Sequence, residues 1–240
     1  MISKIAEKIK LSTQPVAVYR AQAAPEGALQ FKAGVWGCVI SMLSAASKGR
    51  TAAFHKSNVA CPGARAGLGL EPFEAGTIEY FLSVGGKGPK PGEHYKKTPE
   101  LALDYIESLP KCSSPEYVVF RPLSEADESG TLPELVVFLL NADQISALAT
   151  LANYDKPTQD NVKLLFGSGC AQAILNGLYA GENNADDCFI GLTDPSARKC
   201  TDKNILSFTV PYKRFVEMEN NADGSFLDTD TWKTIAKRIE

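Results

Sequence analysis

The sequence predicts a mixed α/β fold, with α+β character also open, made of two similar tandem halves packed into one unit around a cleft. Three observations point there. Strand-type and helix-type segments alternate along the chain, the order of segments before Pro133 recurs after it, and a cysteine stands at a matching strand-to-helix joint in each half.

The chain starts with Ile2, Ile5, Ile9 and Leu11 interleaved with lysines, the pattern of an amphipathic helix. Residues 15–19 form a short β-rich run, and 38–46 have helical spacing and composition. A strand is expected over 51–60, then a turn into a short helix over 61–70, where Pro62 suits the first helical position. Another strand is expected over 78–84, followed by a glycine- and lysine-rich loop over 85–92. Prolines bracket a helix over 99–109, and a strand over 117–123 closes the half.

After Pro133 the series restarts: strand 135–140, helix 144–152, strand 162–166, helix 170–178, strand 188–192 and strand 205–210. Short identities align the two series. Ile40-Ser-Met-Leu43 matches Ile145-Ser-Ala-Leu148, and Cys61 with Gly67-Leu68 matches Cys170 with Gly177-Leu178. The repeat spans 15–123 and 133–216, and 217–240 hold a turn and a terminal amphipathic helix. Around a pseudo-twofold axis, the joints at Cys61 and Cys170 would share a cleft at the carboxyl ends of strands, a place that favours ligands.

Composition excludes several classes. Net charge is −3 with both signs mixed along the chain, so no nucleic-acid footprint is present. No apolar run approaches the roughly 20 residues of a membrane span, and no signal-peptide core opens the chain, so a cytoplasmic protein is expected. An EF-hand spacing is also missing.

The six cysteines, at 38, 61, 112, 170, 188 and 200, are the oddest feature. In a reducing compartment they are expected to be thiols, ligands or reactive groups, not bridges, and no CxxC pair occurs among them. Cys61 and Cys170 each open a helix, a position that favours the thiolate.

At these residues the chain resembles the prokaryotic family catalogued as domain of unknown function 169, over nearly its whole length. The resemblance rests on Pro15-Val-Ala-Val18, Val35-Trp-Gly-Cys38, Cys61-Pro-Gly63 with Leu68-Gly69, Pro133-Glu134, Cys170, and Asp187-Cys188 through Asp194-Pro-Ser-Ala-Arg198 to Val210-Pro211. Two features depart from the family pattern: Ala64 replaces a glycine, and Cys188 stands where two cysteines are usual. What the resemblance implies is one intracellular α/β domain over 1–240 with a cysteine-bearing site, and no named reaction.

Cys38, Cys61, Cys170 and Cys188 fall on the shared landmarks, and four thiolates suit an iron–sulfur cluster or another metal centre. The expected function is therefore a cysteine-based cofactor protein in a redox or small-molecule conversion role, with Cys112 and Cys200 incidental. Two other readings stand beside it. One is a binding protein that holds a small anion with Arg65, Arg198 and free backbone N–H groups. The other is a metal-free cysteine enzyme, for which His55 and His94 are the only histidine bases available. Trp36 is expected in the core or as a wall of the site, and 85–92 lack the P-loop spacing.

Overall fold

In the computed structural model, which describes residues 2–88 and 91–239, one seven-stranded sheet separates two helical layers. The strands are β1 (Val16–Ala21), β2 (Ala52–Phe54), β3 (Tyr117–Pro122), β4 (Leu135–Leu140), β5 (Val162–Lys163), β6 (Cys188–Gly191) and β7 (Leu206–Pro211). Their order is β2-β3-β1-β4-β7-β6-β5, antiparallel throughout except for the β5–β6 pair. The unbroken apolar run of β4 is explained by its central place. Val136, Phe138 and Leu140 enter one core while Leu135, Val137 and Leu139 enter the other.

One core is covered by α1 (Lys4–Lys8), α6 (Ala142–Asn153), α9 (Tyr212–Asn221) and α10 (Asp230–Ala236). Asn141 and Gln144 form a reciprocal capping box at the start of α6. In α9, Arg214 is wholly buried and donates to Asp155 Oδ2 at 2.9 Å, Glu217 Oε2 at 2.8 Å and the Ala152 carbonyl at 3.1 Å. The opposite core is covered by α2 (Val39–Ala46), α3 (Pro62–Gly67), a π-helical turn (Ala171–Leu175) running into α7 (Asn176–Glu182), and α8 (Pro195–Arg198). Two further helices, α4 (Ile78–Leu82) and α5 (Pro99–Glu107), lie against each other.

The strand expected over 78–84 is helix α4. Both oxygens of the buried Glu79 carboxylate accept from the Gly76 N–H, and the Ser83 hydroxyl donates to the Glu79 carbonyl, so local bonds fix a helical turn. The strand expected over 162–166 stops at Lys163. It pairs only with β6 at the sheet edge, and Leu164, Leu165 and Phe166 leave the sheet exposed. Of the loop over 85–92, Pro89 and Lys90 lie outside the described residues.

The sheet is mirrored about the β1–β4 pair, with β3 and β7 flanking it and β2 and β6 beyond. The helices do not follow that mirror. The expected repeat equates α2 with α6, yet they cover opposite faces, and helix α4 stands where the second half has strand β6. Two tandem halves are thus not confirmed, and the mixed fold class is.

Candidate functional site

Four segments meet on the α2–α3 side of the sheet. Cys38 is the extended residue before α2, and its carbonyl accepts from the Ser41 N–H at 3.1 Å and the Ser41 hydroxyl at 2.6 Å. Cys61 is held extended ahead of Pro62, and its carbonyl accepts from Ala64 and Arg65 N–H groups at 3.1 and 3.0 Å. Cys170 opens the π-helical turn, and Cys200 follows α8, its N–H bonded to the Ala197 carbonyl at 2.9 Å. None of the thiols at 38, 61 and 170 caps its own helix.

Two glycines measure how tightly these segments close. A Cβ on Gly67 would lie 2.5 Å from Cys170 Cβ and 2.8 Å from the Ala171 nitrogen, so α3 touches the π-helical turn backbone to backbone. A Cβ on Gly169 would lie 2.6 Å from Ala197 Cβ and 3.6 Å from Ile40 Cγ1, which brings α8 and α2 to the same point.

Cys170 is the buried centre of this group. Burial, and then the neighbouring Cys38, Cys61, Asp194 and Cys200, push its thiol well above the ordinary value. The helix start was expected to favour a thiolate, and burial overrides it: the backbone of Cys170 is already helical, so its side chain sits inside the joint, away from the free N–H groups. A protonated, buried thiol is a poor free nucleophile. Cys200, half-buried, is also raised, to about 11, by burial and then by the Cys38 thiol facing it. Among the described residues no group of three or more His, Cys, Asp or Glu stands close enough to hold a metal ion.

Asp194 ties the joint together. Its buried carboxylate caps α8 through the Ser196 N–H at 2.9 Å, accepts from the Ser196 hydroxyl on both oxygens, and accepts from the Gly169 N–H at 2.9 Å. The buried Gln172 amide joins the Leu165 carbonyl at 2.8 Å to the Thr193 hydroxyl at 2.6 Å, fixing the loops on either side. Tyr95 and Tyr105 face Asp194 from the α4–α5 side. Each phenol is raised to about 12, by burial first and by the Asp194 charge as well.

The remaining expected residues lie elsewhere. Cys188 is buried in the opposite core, across the sheet from Cys38, Cys61 and Cys170, and its thiol faces the Asp186 carbonyl at 3.8 Å. Burial raises it to about 12. Arg65 pairs with Glu71 at 2.6 Å and Arg198 donates to the Ile205 carbonyl, so each guanidinium anchors its own segment. Neither is seen to build an anion pocket with the other.

His55 contacts Glu116 at 2.9 Å and Ser57 at 2.7 Å, and His94 is exposed with a left-handed backbone. Trp36 is neither in the core nor covered, at 55% exposure. Cys112 faces the Leu175 carbonyl at 3.8 Å, at the far end of the π-helical turn. Sequence reasoning passed over Cys200 and Asp194. The Asp194-Pro195 pair does carry the signature of a helix start, and a helix there delivers Cys200 to the joint.

Among the described residues no helix is long and apolar enough to cross a membrane. No curated protein and no solved structure matches the chain. A family model described as "Uncharacterised ArCR" matches residues 4–221. With most of the chain matched, the chain belongs to the family catalogued as domain of unknown function 169.

Proposed function

We infer that the protein binds an iron–sulfur cluster through Cys38, Cys61, Cys170 and Cys200 and works in a redox or small-molecule conversion role. The observation that carries this is the convergence of Cys38, Cys61 and Cys200 on the buried Cys170, from four separate segments. Four cysteines are the usual donor set of such clusters. Cys200 takes the position first expected of Cys188, since a ligand cannot reach through the sheet.

A cluster in this place supplies one-electron transfer. The chain's own contribution is to bury and orient it. The α3–π-turn contact excludes water on one side, and Asp194 fixes α8, the element that carries Cys200. The raised thiol of Cys170 gives up its proton on ligation, so loading improves as pH rises.

The test is anaerobic reconstitution followed by iron and sulfide analysis and an absorption spectrum. Broad absorbance at about 400 nm with stoichiometric iron, lost in Cys170→Ala and Cys200→Ala but kept in Cys188→Ala, supports the assignment. A colourless protein without iron after reconstitution overturns it.

A further inference from the structure

Around Asp194 and the loop before Cys170 lie two tyrosine hydroxyls that complete no hydrogen bond of ordinary geometry among the described residues. The Tyr95 oxygen faces Ser196 and Asp194, and the Tyr105 oxygen faces the Ser168 N–H, yet both are buried. Buried hydroxyls without partners are uncommon because each forfeits its hydration. Tyr105 is placed by its ring, which meets Phe166 edge-on at 4.9 Å, and its oxygen would be 3.2 Å from a Cβ on Gly167. It therefore abuts the loop that delivers Cys170.

A cation stands at the same place. The Lys96 ammonium lies 4.5 Å from the Phe166 ring centre and 5.2 Å from that of Tyr105, and no carboxylate pairs with it among the described residues. Asp194 and, more weakly, Glu93 bring negative charge to this group, and the Asp194 oxygens are already occupied by Gly169 and Ser196. Two phenolic donors and one ammonium therefore outweigh the acceptors on offer. The Lys96 ammonium, with no ion-pair partner among the described residues, can take one negative charge, whereas the nearby Asp194 and Glu93 carboxylates would repel a dianion. Half-exposed Phe166, with exposed Leu165 before it, gives an apolar flank to the same group.

We propose that Tyr95, Lys96 and Tyr105 form a binding site for a small monocarboxylate next to the Cys170 joint. The two hydroxyls donate to the carboxylate oxygens and the Lys96 ammonium balances the charge, as the aromatic flank takes the ligand's carbon end. This deepens the cluster reading and rests on it for the group that would act on the ligand. Binding itself uses none of the cysteines.

The test is a thermal-shift and isothermal titration of the full chain with acetate and benzoate, against sodium chloride and inorganic phosphate at equal ionic strength. Iron content and absorbance are read on the same samples. A stabilisation by the carboxylates that phosphate and chloride do not give is expected, weakened about tenfold in affinity by Tyr105→Phe and by Lys96→Met. Tyr95→Phe, at a half-exposed position, supplies a second variant if Tyr105→Phe does not fold. Carboxylates acting no differently from chloride, or acting equally on the wild type and the folded variants, overturn the site. Loss of iron with retained carboxylate binding would sink the cluster reading alone, whereas normal iron without carboxylate binding would sink only this one.

Discussion

Gly67 and Cys170 meet with no room for a side chain between them: a methyl on Gly67 would stand 2.5 Å from Cys170 Cβ. Because the next nearest atoms are backbone, the clash has no flexible side chain to absorb it. Gly67→Ala is expected to destabilise the fold by about 1–3 kcal/mol and to lower iron loading, measured by denaturant unfolding and iron analysis. Gly63→Ala is the control, since its nearest neighbour, Cys61 Sγ, would be 3.8 Å away. Equal behaviour of the two variants would refute the close joint.

Alkylation separates a buried ligand from a reactive nucleophile. Cys170 has its thiol pushed well above the ordinary 9.0 by burial and by its neighbours, so iodoacetamide at neutral pH should leave it unmodified in the folded, metal-free protein. The folded state holds this proton more tightly than the unfolded chain, so the associated stability is present below pH 9 and falls as pH rises beyond it. Peptide mapping after labelling checks the point. Rapid labelling of Cys170 at pH 7 would favour a cysteine enzyme instead.

Asp194 holds α8 to the loop before Cys170 through the Gly169 N–H. Asp194→Ala removes a helix cap and leaves that N–H unpaired, at an expected cost of about 1–3 kcal/mol, with iron content falling as Cys200 loses its position. Unfolding curves and iron analysis read both effects. Wild-type iron content in a folded Asp194→Ala protein would contradict the positioning role.

On the far side of the sheet, Arg214 is wholly buried against Asp155 and Glu217. Arg214→Met takes the guanidinium from an Asp155 carboxylate that keeps the Asn221 amide and is partly solvated, and is expected to cost about 1.5–3 kcal/mol. The Arg214 hydrogen bond lowers Asp155 to about 2, so its contribution is complete above the usual carboxylate range and is lost as pH falls toward 2. Unfolding followed between pH 7 and pH 2 should show a shallower acid loss in Asp155→Asn. Identical profiles would remove the pair from the acid transition.

The elements legible in the sequence are those whose local signals agree with their surroundings. β4 is a six-residue apolar run buried on both faces, α6 starts at an Asn-Gln capping box, and α5 starts at Thr98-Pro99. Residues 78–82 misled because Ile78, Tyr80 and Leu82 alternate like a strand, while the deciding bond, Gly76 N–H to Glu79, is a side-chain contact that periodicity does not register. Cys61 and Cys170 were legible as joint residues from the glycines and proline around them. Cys200, Tyr95 and Tyr105 reach the site only through long-range packing, and Cys188 was lost to it by the face on which β6 buries its first residue.

The four thiols of the joint come from positions 38, 61, 170 and 200. Their spread dictates when the site can exist during synthesis. A nascent chain that has emerged only as far as α7 presents three of them, and β7, the partner that joins β4 to β6, has not yet been made. If these four thiols hold a cluster, its ligation has to wait until α8 and Cys200 have been made and packed against the joint.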